Sequence, residues 1–404
     1  MDGPLAGTKI LAFEQAIAGP YGSMLLGDLG AEVLRIESPE GEMSRNFAGP
    51  QHKGVSYYYL AFNRSKKSLV LDLRTELARK AFYDLVKISD VVWDNYRPGV
   101  MEKLGIDYDT LKNINPKIIC CSITGYGPSG PYRDYPSYDI IAQGLSGLMS
   151  INGEPDGPPT KVGIALGDLG TAAFAALAVV AALVSRGRTG KGQKINIAQL
   201  DVMVSLLAYQ MSYYFCGGDV PGRLGSGHLS VIPYGAYETK KGYVTLGICW
   251  PRIARTLGAD WMIDDPRFAT QDARWKHREE LEAIFKEACM KAEAKDWMEL
   301  FRIDDIPGDV VKTIDEVAED PQVLHNNMVI DMEHPLGGRI KLTGNPIKMP
   351  GSIEERYSPP PTLGQHTNEI LSNLLGWPME KIERMKAQER EHAEELSAHI
   401  HKQI

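Results

Sequence analysis

Cysteine is scarce in this chain of 404 residues: Cys120, Cys121, Cys216, Cys249 and Cys289 are an odd set with no CxxC spacing. That argues against a disulfide framework or a zinc ribbon and suits reduced thiols. Positive charge is also short, with 44 Lys and Arg against 52 Asp and Glu and a net charge of −8. A protein that tracks a phosphate backbone carries a basic balance or stripe, so no nucleic acid partner is expected, and any polyanionic ligand must meet a local basic cluster. Long apolar runs are missing except for Leu169 to Val184, which stops short of the roughly 20 residues a membrane span needs. No membrane partner is expected, and that run reads as a helix buried between other elements. The opening Met1-Asp2-Gly3-Pro4 has no basic region followed by an apolar one, so the expected location is the cytoplasm. Of nine histidines only His399 and His401 lie close together, in a charged tail, and no metal site is expected.

Three familiar phosphate and hydrolase signatures are absent too. The turn after the first apolar run reads Gln15-Ala16-Ile17-Ala18-Gly19-Pro20-Tyr21-Gly22, which is not GxGxxG, so the dinucleotide-binding fingerprint is lacking. Gly144-Leu145-Ser146-Gly147-Leu148 has leucine where a GxSxG elbow needs its second glycine. Gly190-Lys191 is followed by Gly192 and not by the serine or threonine of a Walker A loop.

What is present is an ordinary globular composition, 43% hydrophobic and 24% charged, with a repeating pattern. Short apolar runs at Lys9 to Phe13, Glu32 to Ile36, Ser68 to Leu71, Asp90 to Trp93, Lys117 to Ser122 and Lys194 to Ile197 alternate with stretches of helical spacing. That alternation predicts an α/β fold with a mainly parallel sheet covered by helices, the first of them running from Pro20 to Leu29 before Gly30. Glycines at 217, 218, 222, 225 and 227 interrupt the pattern and mark a boundary. Gly235 to Leu246 then reads as a hairpin turning at Lys240 to Gly242, and helical spacing dominates from Arg274 to Phe301. The expected organisation is a large domain over 1–216, a smaller α+β domain over 228–325, and a return to the large domain over 326–404 with helices at His366 to Leu375 and Met379 to His401.

Two places could carry chemistry. Asp168, in Gly163-Ile164-Ala165-Leu166-Gly167-Asp168-Leu169-Gly170, stands at the head of the apolar helix. It reads either as an N-cap, for which aspartate is among the best residues, or as a carboxylate nucleophile kept ionised by the helix dipole. Starting near pKa 3.9, such a group can absorb about 4 kcal/mol of desolvation before half is protonated at pH 7. The basic turn Asn63-Arg64-Ser65-Lys66-Lys67-Ser68 and the segment Asn95-Tyr96-Arg97-Pro98-Gly99-Val100-Met101-Glu102-Lys103 each adjoin an expected strand. They face phosphates, or they decorate a solvated rim.

The order and spacing of several short motifs resembles the class III CoA-transferases, a family that includes formyl-CoA and carnitine types and is related to acyl-CoA racemases. The likeness runs through Leu5-Ala6-Gly7, Ala18-Gly19-Pro20, Gly30-Ala31-Glu32-Val33, the basic turn, Arg97-Pro98-Gly99, Gly125-Tyr126-Gly127 and Gly157-Pro158-Pro159. It continues with Arg188-Thr189-Gly190-Lys191-Gly192-Gln193 and Leu363-Gly364-Gln365-His366-Thr367, nearly the whole chain. The resemblance implies a Rossmann-like large domain built from both ends of the chain, a smaller domain between them, and two interlocked subunits, identical or related. It implies an enzyme with no permanently bound cofactor that moves CoA from an acyl-CoA thioester, such as succinyl-CoA, to an organic acid through a covalent intermediate on Asp168. By the same resemblance Arg64, Lys66, Lys67, Asn95, Tyr96, Arg97 and Lys103 hold CoA. Ile17, Ala18, Tyr58 and Tyr138 line the acyl pocket, and Gly225 and Gly227 belong to a covering loop.

Departures from the family narrow the reading. Glutamine in the formyl-CoA type is replaced by Ile17, which disfavours an acceptor as small and polar as oxalate. Tyr138 stands where the racemase branch has histidine, and Cys249 or Trp250 where it has glutamate, so the bases for exchanging an α-proton are missing. A subunit that binds CoA without catalysis is the alternative from another class, and it has no use for Asp168.

Overall fold

A computed structural model describes residues 3–47, 49–351 and 355–401, with backbone alone over 396–401. The side chains of His399 and His401 lie outside the described residues. The chain forms two compact units: one comprises Met1–Ser146, Gly163–Leu206 and His325–Ile404, the other Gly147–Val162 and Leu207–Leu324. Residues 147–162, assigned above to the large domain, thus belong to the second unit.

The first unit is organised by six parallel strands: β1 (Lys9–Phe13), β2 (Glu32–Glu37), β3 (Lys66–Val70), β4 (Val91–Asp94), β5 (Ile119–Thr124) and β6 (Lys194–Ala198). Their order across the sheet is β3-β2-β1-β4-β5-β6, so the direction of winding reverses between β1 and β4. The alternation of the strands explains the layers. Ile10 and Ala12 of β1 pack into one core with Trp93, Ala175 and Val179. Leu11 and Phe13 pack into the opposite core with Phe82, Leu85, Ile370 and Ile382. Helices therefore cover both faces, and residues from the C-terminal segment fill one of them.

On the first face lie α1 (Ala18–Asp28) and, beyond α2 (Asp139–Leu145), the long α3 (Leu166–Thr189). Small residues let them approach: a Cβ on Gly22 would sit 2.6 Å from the Trp93 ring and 2.9 Å from the Ala172 carbonyl oxygen. Helix α3 corrects the length argument made from the sequence, because it has 24 residues and a mean hydropathy of 1.9 in its apolar window, enough to cross a membrane. Ala175, Val179 and Ala182 are buried in the sheet core, whereas Phe174, Leu177 and Val184 are exposed. Leu200 N donates to Gly125 O at 3.0 Å, which starts α4 (Gln199–Leu206) directly after β6.

Strand β3 is an edge strand, and the C-terminal segment covers it. Ser68 N donates to His366 Nδ1 at 3.1 Å, Val70 N to Thr367 Oγ1 at 3.0 Å and Asp72 N to Glu389 Oε1 at 2.8 Å. The second unit has its own three-stranded antiparallel sheet, in which Gly235–Glu238 and Tyr243–Leu246 form the expected hairpin and Gly308–Val310 adds to the other side of Tyr243–Leu246. Its core gathers Tyr237, Val244, Phe285, Trp297 and Phe301.

Candidate active site

A doubly wound sheet opens a crevice where its winding reverses, outside the carboxyl ends of the strands concerned. Here those strands are β1 and β4, and the turns that follow them are tied together. Asn95 Oδ1 accepts from Gln15 N at 2.8 Å while Asn95 Nδ2 donates to Gln15 O at 2.9 Å. Next to it Ala16 adopts a left-handed φ of 56°, and its amide donates to the buried Glu42 carboxylate at 2.8 Å. The turn lining the crevice is therefore fixed through its backbone, which leaves side chains 15 to 18 to shape the wall.

Asp168 enters this crevice from α3, but not as its cap. The helix starts at Leu166 after Ala165, whose side chain makes no capping bond, so Asp168 is its third residue. The capping role falls to Asp139, at the start of α2, whose Oδ1 accepts from Gly167 N at 2.8 Å and from Asp168 N at 3.4 Å. Gln143, one turn along α2, holds the other Asp139 oxygen at 2.7 Å. The N-cap reading of Asp168 is thus overturned: free amides at a helix head need an acceptor, and Asp139 supplies it from another element.

The carboxylate of Asp168 takes one hydrogen bond among the described residues, from Gln199 Nε2 to Oδ1 at 2.7 Å. Ser137 Oγ donates to Gln199 Oε1 at 3.2 Å. Burial first, and the negative charge of Asp139 second, push the Asp168 carboxyl up to about 6, against the pull of the Gln199 bond. It is still ionised at pH 7, yet far more basic than an exposed aspartate. Desolvation with partial charge stabilisation is the condition a carboxylate nucleophile requires.

The crevice continues into a cleft of about 530 Å³. Of the residues expected from the sequence, Asp168, Ile17, Ala18, Asn95, Tyr96, Arg97 and Tyr138 line it together. Ile17 and Ala18 are buried, Tyr138 is exposed, and Arg97 projects an exposed cation at the rim. Tyr58 is within electrostatic reach: burial first, then the charges of Asp168 and Asp139, push its phenol up to about 12, so it stays protonated.

The basic turn is largely engaged in internal ion pairs. Arg64 is buried and spends its guanidinium on Asp28 at 2.7 Å and on Thr343 O at 2.8 Å. Lys66 is buried as well, bonded to Glu14 at 2.6 Å, to Pro20 O and to Asn63. Lys67 bridges Glu32 and Glu369 at 3.1 and 3.0 Å. A buried cation must be paired, and these pairings take up the first two charges, neither of which is among the cleft-lining residues. Lys103 is exposed and is not among the cleft-lining residues, although Val100 and Leu104 beside it are. Gly225 and Gly227 belong to the second unit, where Gly225 N donates to Gly153 O at 2.9 Å.

Sequence reasoning missed Gln199, Ser137 and Asp139 as site residues, along with Met43 and Arg133 in the wall. The position of Gln199 carried a signal, since it directly follows β6 and the carboxyl ends of parallel strands are where ligands bind. Among the described residues no group of three or more metal-ligating side chains occurs.

Fold and site together define a doubly wound α/β protein with a sheltered, ionisable carboxylate in its switch-point cleft. A family model described as CoA-transferase family III matches residues 5–367. Succinyl-CoA:glutarate CoA-transferase of Mus musculus is 36% identical over 387 residues, spanning 95% of this chain and 89% of that protein. Succinate--glutarate CoA-transferase of Agrobacterium fabrum is 36% identical over 393 residues, 94% of this chain and 97% of that one. The crystal structure of a CAIB/BAIF family protein from Brucella suis superposes with a TM-score of 0.83 at 35% identity, covering 93% of this chain and 100% of that one. The chain belongs to CoA-transferase family III. It is an acyl-CoA:carboxylate CoA-transferase, which takes CoA thioesters as substrates and passes CoA between an acyl-CoA and an acid.

Proposed function

We propose that the chain moves CoA from succinyl-CoA to a dicarboxylic acid of about the size of glutarate, through covalent intermediates on Asp168. The observation that carries this reading is the Asp168 carboxylate itself, ionised at neutral pH though desolvated, with one oxygen held and the other without a hydrogen bond among the described residues. That second oxygen, Oδ2, attacks the donor thioester carbonyl and expels CoA thiolate, leaving a mixed anhydride. The thiolate then attacks Asp168 Cγ, releases the donor acid and forms an aspartyl-CoA thioester. The acceptor carboxylate attacks Cγ of that thioester, giving a second anhydride and freeing the thiolate, which takes the new acyl group and restores Asp168. Each step exchanges one acyl bond for another, so no oxidant or reductant is consumed.

The exposed cation of Arg97 in the cleft lining supports contact with a phosphate of CoA, and the buried Ile17 and Ala18 support an apolar wall for the acyl chain. The acid pair is suggested by the relatives that act on succinyl-CoA and glutarate. The exposed apolar face of α3, with Phe174, Leu177 and Val184, supports a second subunit of this or a related chain covering it. Five free cysteines support action in a reducing compartment such as the cytoplasm.

The test is to mix the protein with succinyl-CoA and a panel of mono- and dicarboxylic acids. Glutarate should be among the best acceptors, and hydroxylamine trapping should place the adduct on the peptide bearing Asp168. Full exchange activity in Asp168→Ala would sink the mechanism, and a preference for monocarboxylic acids would sink the substrate class.

A further inference from the structure

Gln199 is buried, and its side chain has two contacts that fix which way the amide points. An ionised carboxylate only accepts, so the atom 2.7 Å from Asp168 Oδ1 has to be the nitrogen. The carbonyl oxygen is then left to accept from Ser137 Oγ at 3.2 Å. The backbone supports the same arrangement. Gly167 has no side chain, and a Cβ there would come within 3.3 Å of Gln199 Nε2 and 3.0 Å of Asp139 Oδ1. The amide is thus held at one oxygen of the nucleophile before any substrate arrives.

We infer that Gln199 is a catalytic residue whose amide N–H stabilises the negative charge that develops on Asp168 Oδ1 when a nucleophile attacks Asp168 Cγ. The inference rests on the covalent reading above, and it separates the steps of that reading. When Oδ2 attacks the donor thioester, Oδ1 loses charge as Asp168 becomes an anhydride, and the hydrogen bond weakens. When CoA thiolate then attacks Cγ, the C–S bond forms and the carbonyl electron pair moves onto Oδ1, directly in line with the waiting donor. As the intermediate collapses, the C–O bond to the donor acyl group breaks and the pair departs with its carboxylate. The attack of the acceptor acid on the aspartyl thioester places charge on the same oxygen. An interaction stronger in these transition states than in the states before them accelerates the steps at Cγ, and removing one such donor from an enzyme costs roughly 10²- to 10³-fold in rate. A donor that steadies the ground-state carboxylate does nothing for the first attack.

The experiment compares the wild-type protein with Gln199→Met, which keeps the length and removes the donor, and with Gln199→Asn. Rapid mixing with succinyl-CoA without acceptor is followed by thiol release and by mass spectrometry of the Asp168 peptide. In the wild type, thiol appears as a short burst and is recaptured as the CoA adduct. In Gln199→Met the burst should keep its size and its decay into the adduct should slow about 10²-fold. The acid limb of the reaction should also move to higher pH, because a bond that favours the ionised carboxyl is gone. Ser137→Ala should slow the same step less. A misfolded or loosened site would slow burst and decay alike. Burst decay and acid limb unchanged in Gln199→Met would overturn the inference while leaving the nucleophile intact. Absence of any Asp168 adduct in the wild type would overturn the covalent reading as well.

Discussion

Asp139 and Asp168, 29 residues apart, share one helix end: the Oδ1 of the first accepts the backbone amide of the second at 3.4 Å, and its charge opposes ionisation of the second's carboxyl. The residue that seats the Asp168 amide therefore also makes the Asp168 carboxyl more basic. Since Asp168 titrates at about 6, kcat/KM should fall as pH drops through that value. Asp139→Asn keeps an oxygen for the helix amides and deletes the charge, so the acid limb should move to lower pH. A pH profile of kcat/KM for the two proteins reads this directly, and an unmoved limb would assign the titration to another group.

The same shift makes a stability prediction. A carboxyl raised from 3.8 unfolded to about 6 folded favours folding while it is protonated, and that support is lost as pH rises from about 4 through 6. Asp168→Asn should therefore unfold at higher urea than the wild type at pH 8, by on the order of 3 kcal/mol. The difference should shrink on acidification towards pH 4. A variant less stable than wild type at pH 8 would contradict this.

Gly167 is one residue before Asp168 and is tightly surrounded. A methyl group there has to displace Asp139 Oδ1, at 3.0 Å, or Gln199 Nε2, at 3.3 Å, by a few tenths of an ångström. Alanine suits a helix better than glycine by about 1 kcal/mol, so Gly167→Ala should keep or raise the melting temperature while lowering kcat tenfold or more. Equal kcat in both proteins would show that the pair adjusts without cost.

Arg64 and Arg97 should separate cleanly in a paired experiment. Arg64→Ala strips the partner from buried Asp28 and should cost about 3 to 5 kcal/mol of stability, with KM for the CoA thioester unchanged in the folded fraction. Arg97→Ala should leave stability within about 0.5 kcal/mol and raise that KM, with the effect fading at high salt. Denaturant titrations alongside KM at two ionic strengths would reveal any exchange of these roles.

The contrast between the two arginines also marks how far the sequence could be read. All six strands of the large sheet were legible: central strands buried on both faces are nearly continuous apolar runs, and Lys9–Phe13 agrees to the residue, while the edge strand Lys194–Ala198 alternates exposed and covered residues. The class was legible because motif order survives where individual motifs are weak. Charge direction was not. Nothing in Asn63 to Ser68 says that Arg64 will meet Asp28 and Lys66 will meet Glu14, since those partners arrive from α1 and from the end of β1 through tertiary packing. Asp139 and Gln199 were hidden for the same reason: each reaches Asp168 across about thirty residues of chain, a relation no local pattern encodes.

The cover over strand β3 has a consequence for how the molecule is made. His366, Thr367 and Glu389 are synthesised about 300 residues after Ser68, Val70 and Asp72, whose amides they satisfy. At roughly 5 to 20 residues per second, the nascent chain waits many seconds with that edge open. The second unit has all of its residues in place by Leu324, before the segment that closes the first has been made. Of the two units, the one that carries Asp168 is thus completed after the other, although its strand β1 emerges before any residue of the second unit.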